Sequence, residues 1–229
     1  MTNILQLRIE VEGISPKIWR QFLVKDNITF EDLHKIIQIV MGWDNYHLYE
    51  FRIGNSAITS DEEGYNAAEG VFKHLFNSPE FRKMLEKQDL KKGSAIMDVN
   101  KLNKILDKEK AKKSKPLFNL KTKLNKLIIS KGQKFSYLYD FGDNWEHLLT
   151  VEKILDESES QHVPICLAGE RACPPEDCGS VPGYYDFQKI KKNKKHKYYK
   201  ERIVEWLGED FDFELFDINQ INKELKKGH

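Results

Sequence analysis

The chain has 229 residues, 40% hydrophobic and 32% charged, with a formal net charge of +1. It is long enough to bury a substantial core and carries a wet, globular surface balance. No apolar run approaches the ~20 residues of a bilayer span, and the opening "MTNILQLRIEVEG" has neither a basic n-region nor an apolar h-region, so no membrane partner and a cytoplasmic, reducing location are expected.

The first stretch alternates Leu5, Leu7, Ile9 and Val11 against Gln6, Arg8, Glu10 and Glu12, a strand (4–12) with one buried face. Gly13 to Pro16 turns the chain, and "KIWRQFLV" (17–24) reads as a second strand pairing with the first. Thr29 is placed to cap a helix over 30–41, with Asp32 three residues on. Phe30, Leu33, Ile37 and Val40 form its apolar stripe, His34 lies at the stripe's edge, and Gly42 ends it. "YHLYEFRI" (46–53) follows as a strand with His47, Tyr49, Phe51 and Ile53 on one face.

Residues 54 to about 123 break this pattern. Helical pieces such as "SPEFRKMLEKQDLKKG" alternate with polar, lysine-rich stretches such as "LDKEKAKKSKP". Arg82 to Lys134 holds seventeen Lys/Arg against five Asp/Glu. With no second strand-rich core here, one domain over 1–229 is expected, with a lysine-rich helical insertion or flank at about 54–123.

Strand patterning resumes in "KFSYLYDFGDNWEHLLTVEKIL", where 135–139 and 145–154 alternate around a short "FGDN" hairpin connection. A cysteine loop comes next, then a second basic run, "KIKKNKKHKYYKER", with eight Lys/Arg against one Glu. "YYKERIVEWLGEDFDFELFDINQINKEL" reads as two short helices around an acidic turn. Hairpins early and late, with helices between and after, predict an α+β fold: a mainly antiparallel sheet with helices packed on one side.

Two stretches concentrate chemistry. "YDFGDNWEH" brings Asp140 and Asp143 to a hairpin mouth with Trp145 and His147 just inside. A histidine with carboxylates nearby suits metal binding or acid–base work; the same residues also suit turn closure and packing. "CLAGERACPPEDCG" holds all three cysteines, Cys166, Cys173 and Cys178, with Glu170, Arg171, Glu176 and Asp177 among them. Their C-x6-C-x4-C spacing departs from the close pairs of zinc sites, so a zinc or other divalent-metal site here needs a fourth ligand such as His147 or His162. Without metal, the thiols are expected to be buried and reduced, and Arg171 to brace the loop by pairing with Glu176 or Asp177. Pro174-Pro175 stiffens the loop, which is expected to sit beside the Asp143–His147 hairpin as one site.

"GISPKIWRQFLV", "TFEDLHKIIQIVMGWDNYHLYEF", "FSYLYDFGDNWEH", "CLAGERACPPEDCG" and "FDINQIN", in this order, resemble the pRiA-type plasmid ORF-three-like family, whose members are also described as passenger TnpR-like proteins of insertion elements. The resemblance covers roughly 3–56 and 124–226, and Asp140, Asp143, Trp145, His147, Cys166, Glu170, Cys173, Pro174, Pro175, Glu176 and Asp177 match its motifs. Two positions depart: Gly179-Ser180 stands where relatives often have Gly-Gly, and Cys178 where they frequently have valine, which argues against an obligatory three-cysteine site. The resemblance implies an α+β protein of a group found on plasmids, mobile elements and chromosomes. The leading reading is a non-enzymatic accessory or binding module of mobile-element type, with the hairpin and the cysteine loop forming one cleft. A metal-dependent enzyme using His147 and nearby carboxylates is the alternative. A nucleic-acid binder acting through the lysine runs is a third reading.

Overall fold

The computed structural model describes residues 2–60, 118–159 and 162–228. The described residues belong to one unit, into which 61–117 is inserted. Most of the expected lysine-rich helical segment therefore lies outside the described residues. Its flanks do not match the expectation of helix, because 56–59 forms a strand of the main sheet.

Seven strands form one sheet: β1 (Asn3–Val11), β2 (Trp19–Lys25), β3 (Tyr49–Ile53), β4 (Ser56–Thr59), β5 (Lys134–Tyr139), β6 (Trp145–Asp156) and β7 (Ile165–Glu170). Their order is β4-β3-β5-β6-β1-β2-β7, and every pairing is antiparallel. The longer helices among the described residues are α1 (Phe30–Met41), α2 (Ser180–Lys191), a π-helix (Tyr199–Leu207) and α3 (Ile218–Lys227). The architecture is α+β, as the period-two patterning predicts. No helix among the described residues is long and apolar enough to cross a membrane.

Register explains which side chains meet. Leu7 pairs across to Phe22 and Val151, Ile9 to Leu149, and Val11 to His147, all on the face that forms the core. Tyr137 sits between Phe51 and His147 on the same face. The opposite face is polar over its centre: Glu152 accepts from Gln6 at 2.8 Å and Gln21 at 2.5 Å, and the Arg8 guanidinium lies 3.8 Å above the Trp19 ring. Thr29 and Asp32 form a reciprocal capping box at the start of α1, and Gly42 ends it at φ 88°.

Three further elements differ from the sequence reading. β7 overlaps the first part of the stretch read as a cysteine loop, so Cys166 and Glu170 are strand residues. β7 is an edge strand, and the Asn222 amide both accepts from the Cys166 N–H (2.8 Å) and donates to its carbonyl (3.0 Å), as a neighbouring strand would. Helix α2 was not anticipated, since "SVPGYYDFQKIK" opens with helix-breaking residues; Gly183 is needed there because a Cβ would lie 2.0 Å from the Cys178 carbonyl. Finally, β3 starts at Tyr49, which leaves His47 in the connection from α1.

Arg20 holds the covered face together. Its guanidinium, 2% exposed, donates to Val40 O (2.8 Å), Trp19 O (2.7 Å), Glu170 O (2.8 Å) and Arg171 O (2.7 Å). It forms no carboxylate pair among the described residues, and the Phe216 ring lies 4.7 Å from it. Gly169 makes room, since a Cβ would fall 2.8 Å from Arg20 Cδ and 2.6 Å from Phe216. Arg20→Met is expected to lower unfolding free energy by about 3 kcal/mol or more, because two buried and two part-buried carbonyls lose their donor. Arg20→Lys is expected to recover only part of this, since a point-like ammonium cannot reproduce the fork. Urea titrations of both variants provide the check.

Candidate functional site

Three segments converge at one end of the sheet: the connection Trp43–Leu48, the hairpin turn 140–144, and the loop 171–179 after β7. Among the described residues, all six non-glycine residues with positive φ lie in or next to them: Asn45, Asp140, Asn144, Arg171, Asp177 and Ser180. Such backbone persists only where surrounding bonds over-determine it, and here they do. Trp43 Nε1 donates to Pro174 O at 2.9 Å and its ring stacks on Tyr139 at 4.8 Å. The Gly179 N–H donates to Asp143 at 2.9 Å, tying the loop to the hairpin.

The 43–48 connection is locked from beneath. Gln38 Nε2 donates to the Tyr137 hydroxyl (2.9 Å), which donates to His34 Nδ1 (2.8 Å), while His34 Nε2–H donates to the Asn45 side-chain oxygen. The Asn45 N–H returns to Gln38 Oε1 at 3.0 Å, closing the circuit. His34 also stacks on Tyr49 at 3.4 Å, and burial lowers its pKa to about 4, so the imidazole is neutral.

This scaffold presents His47 to three carboxylates. His47 Nε2 lies 3.7 Å from Asp140 Oδ2, 3.6 Å from Glu176 Oε2 and 3.4 Å from Asp177 Oδ1. In each carboxylate the other oxygen is already engaged. Asp140 Oδ1 accepts from Gly142 N (2.8 Å), Glu176 Oε1 from Asp44 N (3.0 Å) and Tyr139 OH (3.0 Å), and Asp177 Oδ2 from Tyr46 OH (3.3 Å). His47 Nε2 and Glu176 Oε2 are both buried without a hydrogen-bond partner. Burial raises the Glu176 carboxyl above its ordinary pKa. Among the described residues, His47, Asp140 and Asp177 form the metal-capable group, with ligand atoms all within 4.8 Å of one another.

Several residues singled out from sequence lie elsewhere. His147, 1% exposed, donates from Nδ1 to Tyr137 O (3.2 Å) and packs edge-on against Trp43 (5.1 Å); burial lowers its pKa to about 4. Trp145 is fully buried on the same strand face. Neither is among the carboxylates, so the histidine beside them is His47, not His147. Cys166, Cys173 and Cys178 are buried free thiols and form no metal-capable group with His147. Burial pushes Cys173 and Cys178 up to about 12 and raises Cys166, which disfavours the thiolate that metal ligation or nucleophilic attack requires. Arg171 pairs with both Glu214 oxygens at 2.9 Å and donates to Pro16 O, not to Glu176 or Asp177. The Glu170 side chain is exposed at the end of β7. His47 was missed because alternation placed it on a strand; its nearness to Trp43 and Asp44 in "GWDNYH" was the available signal.

Residues 3–220 match the family model described as plasmid pRiA4b ORF-3-like protein. The chain belongs to that family. It is 25% identical over 224 residues to "Uncharacterized protein y4hQ" of Sinorhizobium fredii (strain NBRC 101917 / NGR234), covering 97% of this chain and 91% of the relative. It is similar to the crystal structure of MM3350, a protein of unknown function from Methanosarcina mazei Go1, with TM-score 0.67 and 31% identity, covering 96% of this chain and 97% of the other.

The two buried imidazoles give a pH expectation. An unfolded chain protonates them near 6.5, whereas the folded chain resists until about 4. Between those values the unfolded state binds more protons, so stability falls on acidification, by up to about 3 kcal/mol per histidine. Urea midpoints at pH 7, 6 and 5 test this, and His147→Leu should flatten part of the slope whatever its cost at pH 7.

Proposed function

We propose that the protein is an accessory binding module of plasmid and mobile-element type that holds a divalent cation with His47, Asp140 and Asp177, which form the compact group, and draws in Glu176 as the fourth ligand. The observation that carries this is the division of labour in the carboxylates. Each uses one oxygen to fix its own position and turns the other toward His47 Nε2, without hydrogen-bonding it. Separations of 3.4–3.7 Å from His47 Nε2 are close to the ~3.0–3.4 Å between neighbouring ligand atoms around an ion bound at ~2.1 Å. One imidazole nitrogen with three carboxylate oxygens favours Mn²⁺, Fe²⁺ or Zn²⁺ over Ca²⁺, which takes oxygen ligands.

The four ligands come from three segments, so an ion cross-links the 43–48 connection, the hairpin turn and the cysteine loop. At a hundred times its dissociation constant a ligand adds about 2.7 kcal/mol, roughly 5–10 °C in a chain of this size. Manganese or zinc titrated into chelator-treated protein is expected to raise the melting temperature and give one calorimetric site. His47→Ala and Asp140→Asn should abolish both effects, and Cys173→Ser should leave them intact. Affinity is expected to fall on acidification as protons reclaim the ligands, the buried Glu176 carboxyl among them. Wild-type protein that binds neither ion, or variants that bind like wild type, would overturn the assignment.

A second reading, metal-assisted hydrolysis, is favoured by the open outer side of the cluster. The Asp177 side chain is 62% exposed and Tyr46 is 56% exposed, which leaves an ion room for a water ligand. Manganese-dependent, chelator-sensitive cleavage of a nitrophenyl ester or phosphoester that His47→Ala removes would support it.

A further inference from the structure

The second basic run lies at the corner where α2 passes through residues 192–198 into the π-helix. From Lys189 to Lys200 it holds seven lysines and no acidic residue. Some are neutralised by neighbours: Lys194 pairs with Glu209 at 3.0 Å, Lys200 with Glu205 at 3.5 Å, and Arg202 with Asp186. Lys191 is engaged by the Glu209 and Phe211 carbonyls. Lys189, Lys192, Lys195 and Lys197 are exposed and form no ion pair among the described residues. Lysines in the last turn of α2 are accounted for by its dipole. Lys195 and Lys197 lie beyond the helix end and have no such account.

Aromatic rings accompany the unpaired charges. Tyr198 is 42% exposed, with the Lys197 ammonium 4.5 Å from its ring centroid. Trp206 is 48% exposed; it packs on Phe187 at 4.7 Å, so the protein holds the indole in place while leaving much of it open. Tyr198 caps the start of the π-helix and Trp206 lies near its end, and the Arg202 guanidinium, 4.1 Å from the Phe187 ring centroid, shares that ring with Trp206. Apolar packing alone calls for no unpaired lysines, and a purely solvated charged surface calls for no exposed tryptophan.

We propose that this corner docks single-stranded nucleic acid, its phosphates on Lys192, Lys195 and Lys197 and its unstacked bases on Trp206 and Tyr198. A flexible polyanion with exposed ring faces complements both features at once. A duplex offers its charge but keeps its bases stacked. The site is separate from the His47 cluster and needs no cation there.

The test is fluorescence anisotropy of labelled 20-nucleotide oligo-dT and oligo-rU with the full chain, repeated over a salt series. Binding is expected at low salt and should weaken with a log–log slope of about −2, since three phosphates are neutralised at about −0.7 each. Lys192→Glu/Lys195→Glu/Lys197→Glu is expected to weaken binding at least about tenfold and flatten the slope. Trp206→Ala should weaken it about fivefold or more with the slope unchanged, the signature of stacking. All four positions are exposed, and unchanged melting temperatures will show that the variants fold. The proposal is overturned if neither oligonucleotide binds at about 50 mM salt. Undiminished binding by the triple variant would equally overturn it, placing the contact on another lysine run. So would binding to vesicles containing phosphatidylserine without binding to either oligonucleotide.

Discussion

A buried arginine with no carboxylate partner among the described residues organises this molecule. Arg20 projects from the covered face of β2, and its fork ends on carbonyls of three separate pieces of chain: the last turn of α1, β2 itself, and the junction of β7 with the loop beyond. Burial disfavours its charge, and four dipoles replace the water it gives up. The His47 connection leaves the end of α1, and Glu176 and Asp177 lie shortly after Arg171. Both halves of the cluster are thus positioned from the same guanidinium, and a shift of either anchor moves a ligand relative to its partners.

The site follows the same economy on a smaller scale. Carboxylates at 3.4–3.7 Å from one nitrogen repel each other unless something holds them. Here backbone N–H groups and tyrosine hydroxyls do so, one oxygen at a time. The αL residues Asn45, Asp140 and Asp177 turn the chain sharply enough to bring three segments into one shell, and Asn and Asp tolerate that conformation better than most residues. The neutral His34 relay beneath then fixes the His47 loop without adding a charge to the cluster.

Helix α2 separates regions of opposite sign. It starts beside the acidic loop, where Gly179 is bound to Asp143, and ends in the lysine corner. Twelve residues span roughly 18 Å, beyond a Debye length in physiological salt. The near-zero net charge of the sequence therefore reports neither region.

The legible parts of this protein were those set by local periodicity. Leu5, Leu7, Ile9 and Val11 announce a one-faced strand, Thr29 with Asp32 a helix start, and Phe135, Tyr137 and Tyr139 a second strand face, because burial selects side chains at the period of the backbone. The cysteine loop's neighbourhood was read less well. Cys166 looked like part of a loop because its strand is short and glycine-bearing, and Arg171 appeared to belong with its sequence neighbours when its partner is Glu214, 43 residues away. The choice of His47 over His147 was beyond sequence altogether. Both are histidines near aspartates; one strand register puts His147 opposite Val11 in the core, and the αL turn at Asn45 swings His47 out to the carboxylates. Sequence by itself determined β1, β2, β5, β6 and most of β3, the first helix and the family. Which histidine meets which acid was decided only by tertiary structure, because that depends on register, chain reversals and a buried arginine whose partners are backbone carbonyls that every residue carries alike.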